Sequence, residues 1–456
     1  HNLRSRPLAG PPRTMAAIAV AVAVSLLLLL LPPRAVRSIG VNYGTLGDNL
    51  PPPPQVADFL RNRTTINRIK IFDANPDILR AFAGSGVGVT ITAANGDIPS
   101  LADLPAARRW VAANVSPFHP RTRIDYILVG NEIMAAGDKT LIARLVPAMR
   151  TLHAALGLAG IRDIRVTTPH SLGILSASEP PSKGSFRRGY DRAVFGPMLR
   201  FLRDTNSSFM VNPYPYFAYS PAMGNYALFK RNSGVRDRFT GLTYRNMFDA
   251  MLDAVHSAMK AVGYGDVGIA VGETGWPTVA EPGQPGVSPE FAATFNGRLL
   301  RHLTSGKGTP LMPGRRFDAY IFALFDENLK PGPTAERNFG LFRPDFSPVY
   351  EIGIMRVGGQ RRGPGEKKWC VAKPDAGEEA LRANIKYACG EGAVDCSPIQ
   401  RGGACFAPND VRAHASFAMN AFYQSSGRHP FDCDFRGTGF VTTSDPSRGA
   451  CKLVVA

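Results

Sequence analysis

The chain has 456 residues, 44% of them hydrophobic and 20% charged, which is ordinary globular composition and excludes wholesale disorder. Its 53 basic residues against 36 acidic give +17, a balance that raises nucleic-acid binding as a function class. The arginines are scattered instead of gathered on one basic helix or stripe, so that class is set aside and no nucleic-acid partner is expected.

At the N-terminus, Arg4, Arg6 and Arg13 precede an apolar run from Ala16 to Leu31, which Pro32 and Pro33 stop. A membrane span wants about 20 apolar residues, and this run is shorter. It suits the core of a signal peptide over residues 1–38, with Val36 and Ser38 at the −3 and −1 positions of a cut before Ile39 and Met15 as a candidate start. A signal anchor is the alternative. This leader holds five Arg and no acid, so the mature chain would carry 48 basic residues against 36 acidic, or +12. No later segment reads as a membrane span, and the final CKLVVA is too short for a lipid-anchor tail. The expectation is a secreted, monomeric protein. Sequons at Asn62, Asn114 and Asn206 are compatible with export as glycosylation candidates.

From Ile39 to Ile354 the chain is free of Cys and alternates β-rich runs with helical stretches. Eight strands are expected: Ile39–Tyr43, Ile69–Asp73, Gly88–Thr92, Ile124–Gly130, Arg165–Thr168, Phe209–Asn212, Gly268–Gly272 and Tyr320–Phe325. Runs such as YILVG and AYIFALF are continuously apolar, as strands buried on both faces require. Between the sixth and seventh strands, Tyr244, Met247, Phe248, Met251, Leu252, Val255 and Met259 share one helical face, which reads as core packing. Eight strands alternating with helices predict a (β/α)8 TIM barrel. The alternative, an open doubly wound sheet, lacks its fingerprint, because Gly84, Gly86 and Gly88 sit before a strand and not between strand and helix.

After the barrel region, VGGQRRGPGEKK has no apolar periodicity and reads as a linker over 355–368. All six Cys follow, within 369–456, and no Cys-x-x-Cys occurs. Together with a secretory leader they read as a three-disulfide module whose pairing the spacing alone leaves open among 15 connectivities. The histidines, His153, His170 and His256 among them, show no paired ligand spacing, so neither metal nor cofactor is expected.

In a (β/α)8 barrel the strand C-termini build the site. VGNE places Asn131 and Glu132 after the fourth strand, and VGETGWP places Glu273 and Trp276 after the seventh. FDENLKPGPTAERNFG places Asp326, Glu327, Lys330 and Glu336 after the eighth, while Tyr43, Tyr214 and Tyr216 end the first and sixth. A carboxylate directly after a buried strand loses hydration unless it is paired or used. Two such carboxylates facing each other are what glycoside hydrolysis needs, one to protonate the leaving oxygen and one to attack or to activate water. Rim aromatics could stack on sugar rings or simply pack the barrel mouth, and the charged cluster after the eighth strand could be a rim salt bridge.

VNYG, VGNE, SLGILSASEPPSKGSFR, GETGWP and FDENLKPGPTAERNFGLF, in that order between Ile39 and Ile354, resemble the plant glycoside hydrolase family 17. That family comprises endo-1,3-β-glucanases and 1,3;1,4-β-glucanases, with a (β/α)8 barrel and a retaining mechanism. The resemblance implies that Glu132 is the acid/base and Glu273 the nucleophile, with Glu327, Lys330 and Glu336 supporting. Asn131 would bond the sugar 2-hydroxyl or the nucleophile, and Tyr43, Asn95, Tyr214, Tyr216 and Trp276 would contact substrate. Where many members read GVPN after the third strand, this chain has TAAN, ending at Asn95. Glu132 is expected to be protonated because Glu273 is ionised beside it.

The C-terminal WCVAKP, NIKYACG and DCSPIQRGGACFAPN resemble carbohydrate-binding module family 43, the X8 domain, which binds 1,3-β-glucan. The resemblance implies Cys370–Cys433, Cys389–Cys396 and Cys405–Cys451. Members often carry Trp where Phe431 stands and Tyr where Arg448 stands. The function expected is therefore endo-hydrolysis of internal 1,3-β-glucosidic bonds in a callose-like glucan of the cell wall. The alternatives are a 1,3;1,4-β-glucanase and a barrel that binds wall glucan without turning it over.

Overall fold

In the computed structural model, residues 39–356, 368–390, 394–425, 433–435, 437–454 are described. The expected leader, most of the linker and Phe431 lie outside them. Contacts divide the described chain into two units on either side of the linker.

The first unit is a (β/α)8 barrel. Its parallel strands are β1 (Ile39–Asn42), β2 (Ile66–Lys70), β3 (Gly88–Ala93), β4 (Ile124–Val129), β5 in two pieces (Arg165–Thr167 and Pro169–Ser171), β6 (Phe209–Asn212), β7 (Ile269–Thr274) and β8 (Ala319–Ile321). The first piece of β5 bonds to β4 and the second to β6, so the ring closes across Thr168. At the other junctions β1 pairs with β8, and β8 with β7.

Alternation sorts the side chains. On β4, Ile127 and Val129 join the large core under the helices, whereas Tyr126 and Leu128 form a separate interior cluster with Met210 and Ala270. The interior is tight at Gly40, where a Cβ would stand 2.4 Å from the Tyr320 ring. Toward the strand C-termini the filling turns polar, with Asn42, Lys70, Thr92 and Asn212 all buried.

The strand limits move in informative ways. β2 runs from Ile66 to Lys70, not from Ile69 to Asp73. Its polar Asn67 and Arg68 disguise its start, and Lys70, not Asp73, ends it. β8 stops at Ile321, and the rest of its apolar run is buried beyond the strand, where Phe322 and Leu324 still donate to the Thr274 and Asn42 carbonyls.

Around the barrel, helices start on side-chain caps. α1 (Lys139–Leu158) begins at Asp138, which accepts from the Thr140 and Leu141 amides, and α2 (Met247–Ala261) begins at Asn246, which accepts from the Asp249 amide. α2 buries Met247, Phe248, Leu252, Val255 and Met259, the face its periodicity marks out. Contrary to the sequence reading, α1 is long and apolar enough to cross a bilayer. It instead buries Ile142, Leu145, Met149, Leu152 and Leu156 against its neighbours in the barrel.

The second unit pairs β9 (Trp369–Ala372) antiparallel with β10 (Gly439–Thr442) and packs α3 (Glu378–Cys389) against α4 (Val411–Ser425). Its main core is small: Leu381, Ala415, Met419 and Tyr423 gather around Cys370 and Cys433. Disulfides Cys370–Cys433, Cys389–Cys396 and Cys405–Cys451 tie it, as a unit with so little apolar burial requires. Arg448 is exposed at the surface of this unit.

Candidate active site

A cleft of about 820 Å3 opens at the C-terminal ends of the barrel strands. Tyr43, Asn131, Glu132, Tyr214, Glu273, Glu327, Lys330 and Glu336 all line it, together with Phe72, Asn212, Phe217, Phe322 and Phe339.

Two backbone devices deliver the paired glutamates. After β4, Gly130 and Glu132 both take positive φ, 71° and 52°. For glutamate this left-handed conformation costs about 1 kcal/mol, and it turns the side chain from the strand into the cleft. The Glu132 amide donates to the Pro169 carbonyl at 3.1 Å, tying the turn to β5. On β7, strict alternation would put Glu273 on the same outer face as Val271. A bulge intervenes: Val271 opposes Ala319 and Thr274 opposes Ile321, three steps against two. The extra residue re-aims the strand and brings Glu273 into the cleft.

Surroundings then separate the two carboxyls. Glu273 is 8% exposed and accepts from Lys70 Nζ at 2.7 Å and from Tyr214 Oη at 3.1 Å. Burial pushes the Lys70 ammonium below the usual lysine value, and the Glu273 carboxylate opposes that shift. Among the described residues Glu132 has no ion-pair partner, and Asn212 Nδ2 donates to its Oε1 at 2.7 Å. Burial holds the Glu132 carboxyl above the usual range and the Glu273 charge adds to the shift; the Asn212 hydrogen bond and Lys70 pull against it. Burial, then the Glu273 charge, also drives the Tyr214 phenol well above its ordinary value, so it stays a donor.

The charged residues after β8 form a second group. Glu327 is buried and accepts from the Leu46 amide at 2.9 Å; burial raises its pKa while that amide and Lys330 oppose it. Gly44 makes room for it, since a Cβ there would stand 2.2 Å from either carboxylate oxygen. Lys330 pairs with Glu336 at 3.1 Å and lies 4.1 Å over the Phe322 ring. Asp326 turns away, accepting from the Gly340 amide. Tyr43 is nearly inaccessible, its phenol pushed up to about 12 by burial and by Asp73.

Three residues expected to touch substrate are not among those lining the cleft. Trp276 is wholly buried, donates to the Gly286 carbonyl at 2.8 Å and packs edge-on to Tyr216. Tyr216 is buried too, and its hydroxyl accepts from Gln284 at 2.7 Å. Asn95 bonds the backbone of Asn131, accepting from its amide at 2.8 Å and donating to its carbonyl at 3.3 Å, so it holds the residue that lines the cleft. Asn131 Oδ1 is buried without a hydrogen-bond partner among the described residues. Of the glycosylation candidates, Asn62 and Asn206 are exposed, whereas Asn114 is half-buried and donates to the Trp110 carbonyl. His170 is enclosed by aromatic rings.

Sequence reasoning missed Lys70, Asn212 and Phe217. Lys70 had a signal: a lysine between isoleucines in a buried strand must be paired. Asn212 and the 69%-exposed Phe217 had only their places at and after the end of β6. Among the described residues no group of three His, Cys, Asp or Glu side chains is placed to hold a metal.

The family model described as glycosyl hydrolases family 17 matches residues 39–354, and the X8 domain model matches 368–440. A glucan endo-1,3-beta-glucosidase of Triticum aestivum is 54% identical over 437 residues, covering 91% of this chain and 94% of that protein. Glucan endo-1,3-beta-glucosidase 7 of Arabidopsis thaliana is 48% identical over 423 residues, covering 91% and 83%. Among solved structures, CJP38, a beta-1,3-glucanase and allergen of Cryptomeria japonica pollen, superposes with a TM-score of 0.66 at 40% identity. It covers 69% of this chain and 98% of its own.

Proposed function

The chain belongs to glycosyl hydrolases family 17, and on that premise we propose that it is a retaining endo-hydrolase of internal 1,3-β-glucosidic bonds in a callose-like glucan. The observation that carries this reading is the unequal setting of the two carboxyls in one cleft. Glu273 is held against a buried lysine, and Glu132 lies beside that charge with its own proton favoured. The names and near-full coverage of the relatives support the 1,3-β-glucan assignment.

In this mechanism Glu132 protonates the glycosidic oxygen while Glu273 attacks the anomeric carbon, breaking the bond and forming a glucosyl-enzyme ester. Glu132, now a carboxylate, takes a proton from water as it attacks the ester, and Glu273 leaves. Tyr214 and Lys70 orient Glu273 and balance its charge until the ester forms. The unsatisfied Asn131 Oδ1 accepts from a sugar hydroxyl, and exposed Phe217 offers a stacking face.

Residues 39–354 are assigned as the hydrolase domain and 369–456 as a glucan-binding module. On that module Tyr387 is 44% exposed and stands edge-on to Phe422 at 5.4 Å, with Phe435 5.6 Å from Phe422, an aromatic cluster suited to sugar rings. Secretion and retention on an acidic wall matrix fit the leader and the basic balance. A monomer with a polysaccharide substrate is the working state.

The test is reducing-end release from linear 1,3-β-glucan beside mixed 1,3;1,4-β-glucan, with products sized and the first anomer read by NMR. Wild type should give internal cuts on the 1,3-glucan with β-anomers first, and Glu273→Gln should lose on the order of 10³-fold or more in kcat. Activity retained in that variant, or α-anomers formed first, overturns the mechanism; preference for the mixed glucan overturns the substrate.

A further inference from the structure

Opposite the catalytic cleft, the barrel has a second polar cavity that the proposed reaction does not use. It holds about 500 Å3 and is lined by Arg68, Arg165, Ser208, Arg315, Arg316 and Asp318, among others. Arg165 begins β5, Ser208 directly precedes β6 and Asp318 directly precedes β8, so the cavity lies at the N-terminal mouth of the barrel. The catalytic groups come from the other ends of the same strands.

Charge balance is the informative feature. Four arginines meet one acid. Asp318 is shared by Arg68, by Arg165 at 3.5 Å and by the Tyr126 hydroxyl at 3.2 Å. Arg68 Nε is buried without a hydrogen-bond partner among the described residues. Among the described residues the Arg315 guanidinium hydrogen-bonds only the Val267 carbonyl, at 3.4 Å, and the Met312 sulfur. Arg316 is exposed and makes no hydrogen bond or ion pair among the described residues. Other nearby acids are engaged elsewhere: Asp125 pairs with Arg123 and Asp266 with Arg203. Leu303 and Thr304 bring the carbonyl end of the helix Pro289–Ser305 to the same cavity, which offsets roughly half a charge. Among the groups lining this one concave site, positive charge exceeds negative by more than two.

We propose that this N-terminal mouth is an oxyanion-binding site, in which Arg315 and Arg316 close on a phosphate or carboxylate group that Arg68, Arg165 and the Ser208 hydroxyl help to hold. Guanidinium forks suit the paired oxygens of such groups, and an anion relieves the repulsion among the arginines. Two sources share this chemistry: free inorganic phosphate, and the carboxylates of an acidic sugar chain.

The experiment measures the melting temperature of the full chain against inorganic phosphate and, separately, against an oligogalacturonate, with chloride at matched ionic strength as control. Saturating ligand should raise the wild-type value by on the order of 5 °C. Arg316→Ala should reduce the rise and Arg315→Ala/Arg316→Ala should abolish it, each compared with its own ligand-free value, while 1,3-β-glucan hydrolysis without the anion stays unchanged. A response to both compounds supports the site with the free anion sufficient; a response to the oligomer alone supports it with the sugar chain as source. No rise with either, or an equal rise in both variants, overturns the proposal.

Discussion

Lys70 and Glu273 form a 2.7 Å ion pair at the floor of the cleft, the lysine wholly buried and its ammonium 4.1 Å over the Phe72 ring. The two residues come from β2 and β7, so the contact ties distant parts of the barrel to the charge of one carboxylate. Replacing Lys70 with Met leaves that carboxylate buried without its cation. The cost should be about 3–5 kcal/mol of stability, with kcat reduced more than KM. Denaturant unfolding and steady-state kinetics on linear 1,3-β-glucan check both.

Asn212→Ala removes a donor to the ionised form of Glu132. A hydrogen bond to the carboxylate lowers its pKa, so its loss raises it, and the protonated acid persists to higher pH. The alkaline limb of kcat/KM should therefore move up. A limb that stays in place or moves down argues that Glu132 does not govern it.

Gly44→Ala sets a methyl group 2.2 Å from the Glu327 oxygens. Either the carboxylate or the loop after β1 must shift, at about 1–3 kcal/mol, and the Leu46 amide loses its acceptor. A lowered melting temperature with raised KM is expected, and Glu327→Ala should weaken the Gly44→Ala penalty in a double-mutant cycle.

His170 stacks on Phe209 at 5.0 Å, and burial depresses its pKa from 6.5 to about 3. The unfolded chain takes up this proton as pH falls through 6.5, whereas the folded protein refuses it until about 3. Its contribution is thus fully present above 6.5 and is lost progressively between 6.5 and 3. His170→Phe should flatten the acid side of the stability profile, measured as melting temperature against pH.

The barrel was legible because buried parallel strands announce themselves as apolar runs such as YILVG, and because carboxylates placed after them have no cheap structural use. The errors follow from the same logic. β2 contains exposed Asn67, half-buried Arg68 and buried Lys70, so apolarity misplaced its limits and hid the lysine that partners Glu273. Trp276 and Tyr216 sit next to rim residues in sequence, but side-chain direction there is set by packing against Phe295, Phe339 and each other, which local sequence does not encode. Asn95 was named for its place after β3; only the folded loop brings it to Asn131.

The offset between Val271 and Thr274 makes the position of Glu273 a matter of odd and even. If this stretch paired with β8 in regular register, without the extra step, the same residues would end the strand, yet the Glu273 carboxyl would turn toward the surrounding helices. An inventory of which amino acids are present would then pass such a chain as intact. Reactivity in this barrel is written in the count between residues as much as in their kinds.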